Sequence, residues 1–213
     1  CRCPLISSEM DPYPKPLRDL ISQLKRLPGV GEKTATRLAL FILGDRDNLA
    51  GDLSRSLETV SDSIRLCPIC FNLTDMPKCS ICQDPSRDPS IICVVEEPSD
   101  VLALESAHAL KGLYHVLHGL ISPINGIGPE DIKLPELIER LSKNSVSEVI
   151  VATNPSVEGE GTFHYITRLI EERKLPVRIS RIASGIPMGG ELKYMDQVTL
   201  ASALRYRRSV KEK

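Results

Sequence analysis

The sequence predicts an α/β protein: a helical N-terminal module, a four-cysteine zinc site, a parallel sheet with flanking helices, and a C-terminal helix. Three observations predict it. Two C-x-x-C pairs, Cys67-Pro68-Ile69-Cys70 and Cys79-Ser80-Ile81-Cys82, stand in the first half of the chain. Before them, apolar residues recur at helical spacing. After them, short β-branched runs alternate with helical patterns, the signature of a parallel sheet. The expected divisions are 1–12 as a disordered tail, 13–66 as the helical module, 67–90 as the zinc site, 91–183 as the sheet domain, and 184–213 as a glycine-rich loop and last helix.

The tail carries Cys1 and Cys3 among polar residues and proline, with metal binding or lipid attachment the alternative readings of its C-x-C. From Leu17 the apolar residues fall at Leu17, Leu20, Ile21, Leu24 and Leu27, which predicts a helix to Leu27. Pro28-Gly29-Val30-Gly31 breaks it, with two glycines free to take positive φ, and a second helix starts at Glu32 and runs to Leu43. Such a turn directs backbone N–H groups of Gly29 and Gly31 and a helix N-terminus outward, which suits a phosphate oxygen. Lys33 and Arg37, one turn apart, add positive charge on the same side. The pattern Leu27-Pro28-Gly29-Val30-Gly31 with Lys33 resembles the helix-hairpin-helix motif of DNA-binding proteins; an ordinary helical hairpin with a solvated Lys and Arg is the other reading. Leu49, Leu53, Leu57, Val60 and Ile64 predict a third helix leading up to the cysteines.

Four cysteines in two pairs supply the soft ligands of a tetrahedral Zn²⁺, and the two-residue gap lets both sulfurs of a pair turn onto one ion. Disulfides or a redox pair are the alternatives, and neither accounts for two pairs flanking a short polar loop without a secretory signal. With Cys67, Cys70, Cys79 and Cys82 filling all positions, no site is left for water, so one zinc is structural. The polar stretch 72–78 has no core of its own and depends on the metal. Cys93, in an apolar run, reads as core.

Beyond a loop at 83–90, Ile91-Ile92-Cys93-Val94-Val95 predicts a buried parallel strand. Ser99 and Asp100 start a helix with Val101, Leu102, Leu104 and Leu110 as its stripe. Tyr114-His115-Val116-Leu117 predicts a second strand, 121–129 a long loop, 134–141 a helix, 148–152 a third strand, 162–173 a helix and 177–179 a fourth strand. Ser184 to Gly190 is too glycine-rich for regular structure, and a last helix is expected from Met195 to Arg208. Its Val198, Leu200, Ala201 and Leu204 form a stripe suited to a neighbouring chain. Arg205, Arg207, Arg208 and Lys211 read as a favourable charge set at a helix C-terminus or as a DNA patch. The histidines show no metal spacing; His115 and His118 are expected to find local partners.

In open α/β sheets chemistry gathers at strand ends, and here those ends carry Glu96-Glu97 and Asn154-Pro155-Ser156-Val157-Glu158-Gly159-Glu160. Both stretches resemble the Toprim domain of topoisomerases and primases, in which a glutamate and an Asp-x-Asp pair hold Mg²⁺ for phosphoryl transfer. Glu96 matches the glutamate, but Asn154 and Ser156 stand where the aspartates are expected. A neutral amide and hydroxyl remove two negative charges from a site for a hard cation. Glu158 and Glu160 read either as an acidic solvated loop before a helix or, with Glu96, as a docking surface for a basic partner.

A net charge of −1 argues against a protein coated in basic residues, so nucleic-acid contact has to come from a local patch focused by geometry. No apolar run approaches the roughly 20 residues of a membrane span and no secretory signal is seen, so a cytoplasmic protein is expected. The order of helix-hairpin-helix, four-cysteine site, Toprim sheet without its aspartates and Gly185-Ile186-Pro187-Met188-Gly189-Gly190 is similar to the bacterial RecR recombination mediator family, from about Pro14 to about Val210. The phrases Tyr114-His115-Val116-Leu117-His118-Gly119 and Ala152-Thr153-Asn154-Pro155 carry the same likeness. The resemblance implies a non-catalytic DNA clamp, a ring tetramer with the helix-hairpin-helix elements lining its hole. It implies RecO and RecF as partners in loading RecA onto single-stranded DNA at gaps and breaks, and Lys33 and Arg37 as DNA contacts. The alternatives are a Mg²⁺-dependent Toprim nuclease or primase and a zinc-ribbon module for RNA or transcription machinery. The last lacks basic residues interleaved with aromatics: Phe71 alone lies in the knuckle, and aromatics are 4% of the chain.

Overall fold

The computed structural model describes residues 13–45, 47–108, 110–143, 145–183 and 185–207; Cys1, Cys3, Ser184, Arg208 and Lys211 lie outside the described residues. The chain divides into two compact units between Ser63 and Ile64.

The first unit is helical. Helix α1 (Lys15–Leu24) begins behind Pro14, which needs no N–H there, and ends before the expected Leu27. Arg26 N–H and Leu27 N–H bond three residues back, to Gln23 and Leu24, tightening the last turn because Pro28 follows and disfavours helical backbone before it. Helix α2 (Glu32–Gly44) presents Ala35 and Ala39 to Ile21 of α1, and small side chains let the helices approach closely. Leu17, Leu20, Leu24 and Val30 pack around them. Helix α3 (Leu49–Ser63) completes the unit and buries no residue fully.

The second unit opens with a hairpin of β1 (Arg65–Leu66) and β2 (Leu73–Thr74), whose connection carries the first cysteine pair; the short helix α4 (Ser80–Gln83) carries Cys82 of the second. Strands β3 (Asp88–Val95), β4 (Gly112–Val116), β5 (Glu148–Val151) and β6 (Arg178–Arg181) form one parallel sheet in the order β4-β3-β5-β6. The expectation of a β/α alternation holds, and the helices between strands are α5 (Pro98–Ser106), α6 (Leu134–Lys143) and α7 (Val157–Glu172). On one face Ile92, Val94, Val149 and Val151 pack with Leu137, Ile138, Ile166 and Ile170 of α6 and α7. On the other, Val95, Tyr114 and Val116 pack with Val101 of α5 and with Phe71 and Ile81 of the cysteine-bearing segment. The sheet therefore has a core on both sides, one closed partly by the knuckle.

Several boundaries differ from the sequence expectation, each for a local reason. Strand β3 starts at Asp88, ahead of Ile91, and takes in Pro89, which has no N–H for the ladder. The register slips between Asp88 and Ile92, where the proline sits. Helix α5 starts at Pro98, capped by a reciprocal Glu97–Asp100 box, and stops at Ser106, leaving Leu110 outside it. Helix α7 starts at Val157, ahead of Thr162, so Glu158 and Glu160 belong to its first turn and not to a loop before it. The loop at 121–129 contains a short 3-10 turn, Pro123–Asn125, and another, Leu192–Tyr194, precedes the last helix α8 (Gln197–Arg205), shorter than expected at both ends. Asp196 caps α8 by accepting from Thr199 N–H at 2.9 Å. No helix among the described residues is long and apolar enough to cross a membrane.

Candidate metal centre and nucleic-acid interface

The turn between α1 and α2 is closed by Val30 N–H bonding to Leu27 carbonyl at 3.1 Å. Gly29 takes φ 78°, the left-handed backbone that a side chain disfavours. Gly31 does not share that need: it is the extended N-cap of α2, with φ −82°. No side chain caps α2, so the first-turn N–H groups keep their bonding capacity for a ligand. Lys33 and Arg37 are both exposed, four residues apart on the side of α2 away from buried Ala35 and Ala39. Glu32 beside them is ion-paired with Lys25, which removes its carboxylate as a local competitor.

Cys67, Cys70, Cys79 and Cys82 bring their four sulfurs within 4.8 Å of one another. A tetrahedral zinc with bonds of about 2.3 Å sets its sulfurs roughly 3.8 Å apart, so the cluster fits one ion. The knuckle is preformed by backbone: Cys67 N–H donates to Asn72 carbonyl at 2.7 Å and Phe71 N–H to Cys67 carbonyl at 2.9 Å. Phe71 holds φ 61°, strained for an aromatic residue and stabilised by its ring, which stands edge-on to His115 at 5.3 Å with Lys133 Nζ 5.2 Å above it. Burial raises the Cys67 thiol, but backbone N–H groups of Cys79, Ile69 and Cys70 outweigh it and bring the thiol to about 7. The Cys82 sulfur and burial push Cys70 well above the usual thiol range, and burial foremost takes Cys79 up to about 11. Four clustered thiolates without a cation repel one another, and this donor set fits a divalent soft ion.

The two histidines of the β4 segment find partners, as expected, but partners distant in sequence. His118 Nε2 bonds Phe71 carbonyl and His115 Nε2 bonds Lys133 carbonyl, each at 2.7 Å. Nδ1 of His115 is buried without a hydrogen-bond partner, and burial lowers its imidazole to about 4, so the ring is neutral at neutral pH.

At the strand ends the sheet order puts β3 beside β5, and Glu96 meets the segment after β5. The Asn154 amide donates to Glu96 Oε2 at 2.9 Å. Ser156 is the N-cap of α7, its hydroxyl accepting from Gly159 N–H at 3.0 Å. A side chain at Gly159 would run into the Asn154 carbonyl, so the glycine that disguises the helix start is required by this close approach. Glu160 is not beside Glu96: it pairs with Arg181 of β6, whose guanidinium holds the carboxyl below its usual range. Arg181 also lies 5.0 Å over Phe163, and its role has no signal in the local sequence. Among the described residues the cysteines are the group placed to hold a metal; Glu96, Glu158 and Glu160 do not converge. At the C-terminus, Arg207 bonds Leu204 carbonyl at 3.0 Å, a helix-end contact, while Val198 and Leu204 are exposed.

Comparison with known proteins adds four family matches in chain order. Residues 17–61 match the RecR helix-hairpin-helix, 64–84 the RecR four-cysteine zinc finger domain, 90–183 the Toprim domain and 185–208 the RecR C-terminal segment. Proteins named Recombination protein RecR are similar along their whole length. That of Desulfosudis oleivorans is 48% identical, covering 93% of this chain and 98% of its own. The Myxococcus xanthus protein is 49% identical over 92% and 99%, and that of Anaeromyxobacter dehalogenans 50% identical over 92% and 98%.

Proposed function

The chain belongs to the RecR family of recombination proteins, and from that premise we propose that it is a non-catalytic DNA-binding clamp of recombinational repair. It grips DNA phosphates through Gly29, Gly31, Lys33 and Arg37, without sequence preference, and Cys67, Cys70, Cys79 and Cys82 ligate its one structural zinc. It assembles as a ring tetramer. With RecO and RecF it helps load RecA on single-stranded DNA at gaps and breaks, in the cytoplasm at the nucleoid. Glu96, Glu158 and Glu160 serve partner docking. The chain's five divisions, 1–12, 13–66, 67–90, 91–183 and 184–213, follow these roles.

The hydrogen bond from Asn154 to Glu96 carries the non-catalytic reading. Where a magnesium site needs carboxylates, an amide donor occupies the glutamate and Ser156 is engaged as a helix cap. The residues there make structure out of what the rival nuclease or primase needs for metal. Exposed apolar side chains on α2, α3 and α8 support assembly with further copies.

Light scattering of the protein with and without RecO tests the reading. The wild type is expected to form a tetramer and a larger complex with RecO. Reversing Glu158 and Glu160 to lysine should weaken RecO binding at least tenfold, about 1.4 kcal/mol, with zinc content and assembly unchanged. Mg²⁺-dependent DNA cleavage or synthesis by the wild type, abolished by Glu96→Gln, would overturn it in favour of the enzyme.

A further inference from the structure

Among the described residues strand β4 has a strand neighbour on one side only, β3, so the backbone groups along its outer side need partners from elsewhere. Val116 N–H donates to the Cys70 carbonyl at 2.8 Å. Two residues back along the same strand, Arg140 Nη1 donates to the Tyr114 carbonyl at 2.6 Å. Alternate residues of a strand direct their N–H and C=O groups to the same side, so Arg140 and the knuckle holding Cys70 dock next to each other on one strip of sheet edge. Helix α6 supports the same placement. Lys133, just before its start, lies over Phe71 of the knuckle, and Arg140 follows seven residues on, on the same helical face.

The chemistry of that position is specific. A zinc ion bound by four thiolates carries two negative charges in excess, and removing such a centre from water is costly unless a cation faces it. Burial lowers the affinity of the Arg140 guanidinium for its proton, while Cys82, Cys70, Cys67 and Cys79 all act on it in the opposite sense. Within the finger, Lys78 adjoins Cys79 in sequence but is exposed.

We propose that Arg140 is the counter-charge of the zinc centre, a positioning residue of the sheet domain that raises the zinc affinity of the finger and fixes the knuckle to edge strand β4. The finger is then not an independent module: part of its metal affinity resides in a helix of the Toprim sheet, more than fifty residues beyond Cys82. The proposal rests on the four cysteines being the ligands. That premise is checked first and separately, by one zinc per wild-type chain lost on Cys70→Ala.

The test is zinc affinity of the full chain, by competition against a chromophoric zinc chelator, for the wild type, Arg140→Gln and Arg140→Lys. Arg140→Gln is expected to bind zinc about 10–100-fold more weakly, as when a partner around a metal's ligands is removed. Arg140→Lys, which keeps the charge and loses the planar fork, should recover at least half of that loss on a logarithmic scale. Glutamine keeps an N–H donor for the Tyr114 carbonyl, so a role confined to that hydrogen bond would leave Arg140→Gln near wild type. Should Arg140→Gln fail to fold while Arg140→Lys folds and binds zinc, charge is what the site requires and the proposal stands. Wild-type affinity in Arg140→Gln, equal weakness of both variants, or failure of both to fold would each overturn it.

Discussion

The helical unit and the sheet unit differ in how large a core they bury. In the sheet unit, β3 runs through the middle with Ile92, Cys93, Val94 and Val95 each at most 3% exposed, and both faces are covered by helices or by the knuckle. Among the described residues of the helical unit the buried apolar ones are Ile21, Ala35 and Ala39, while Leu40, Phe41 and Leu43 of α2 and Leu53, Leu57 and Val60 of α3 are exposed. Covering such a side chain contributes about 1.5–3 kcal/mol. Several together offset the roughly 4–15 kcal/mol that association costs. The sheet unit carries a large core of its own and a metal; the helical unit leaves large apolar side chains of α2 and α3 uncovered, and in the proposed clamp a second copy would cover them.

Three changes test that contrast, beginning with the one of greatest effect. Zinc binding stabilises small metal domains by on the order of 10–16 kcal/mol. Cys70→Ala should abolish stoichiometric zinc and strongly lower hydrogen-exchange protection in the knuckle and along β4, which it holds through the Cys70–Val116 bond. Protection in α1 and α2 should persist. Full zinc content and unchanged protection in this variant would remove the metal from the account of the sheet unit.

Next comes a core truncation set against a surface one. Leu137→Ala, in the core beneath the sheet, should cost about 2–5 kcal/mol in urea unfolding while light scattering still reports the assembled species. Phe41→Asp with Leu57→Asp should do the reverse, changing the stability of the separated chain by under about 1 kcal/mol and dissociating the assembly. If the double variant remains assembled, the exposed faces of α2 and α3 serve something other than another copy.

Much of this is legible in the sequence because it depends on local pattern. The two cysteine pairs define the metal, the Pro-Gly-Val-Gly turn defines the helical hairpin, and the run Ile91 to Val95 defines the central strand. What escapes depends on contacts distant in sequence. Gly159 reads as loop, yet it sits inside α7, where the Asn154 carbonyl leaves no room for a side chain. Pro89 reads as loop, yet a register slip admits it to β3. Glu160 reads as a companion of Glu96, but Arg181 on β6 claims it. The same holds for Arg140, whose place beside the knuckle is set by helix and sheet packing and by no motif.

The most direct measurement of the clamp account is DNA affinity across a salt series for the wild type and for Lys33→Ala with Arg37→Ala. One chain with two such charges neutralises too few phosphates to bind tightly, whereas the four copies of the proposed ring would bring about eight to a single DNA. The wild type should then lose affinity steeply as salt rises, with a slope of about −7 on logarithmic axes. The double variant, folded and assembled because neither side chain is buried, should lose most of its affinity and nearly all of its slope. Wild-type affinity and slope in that variant would contradict the account and move the DNA site away from α2, with Arg205 and Arg207 the next residues to replace.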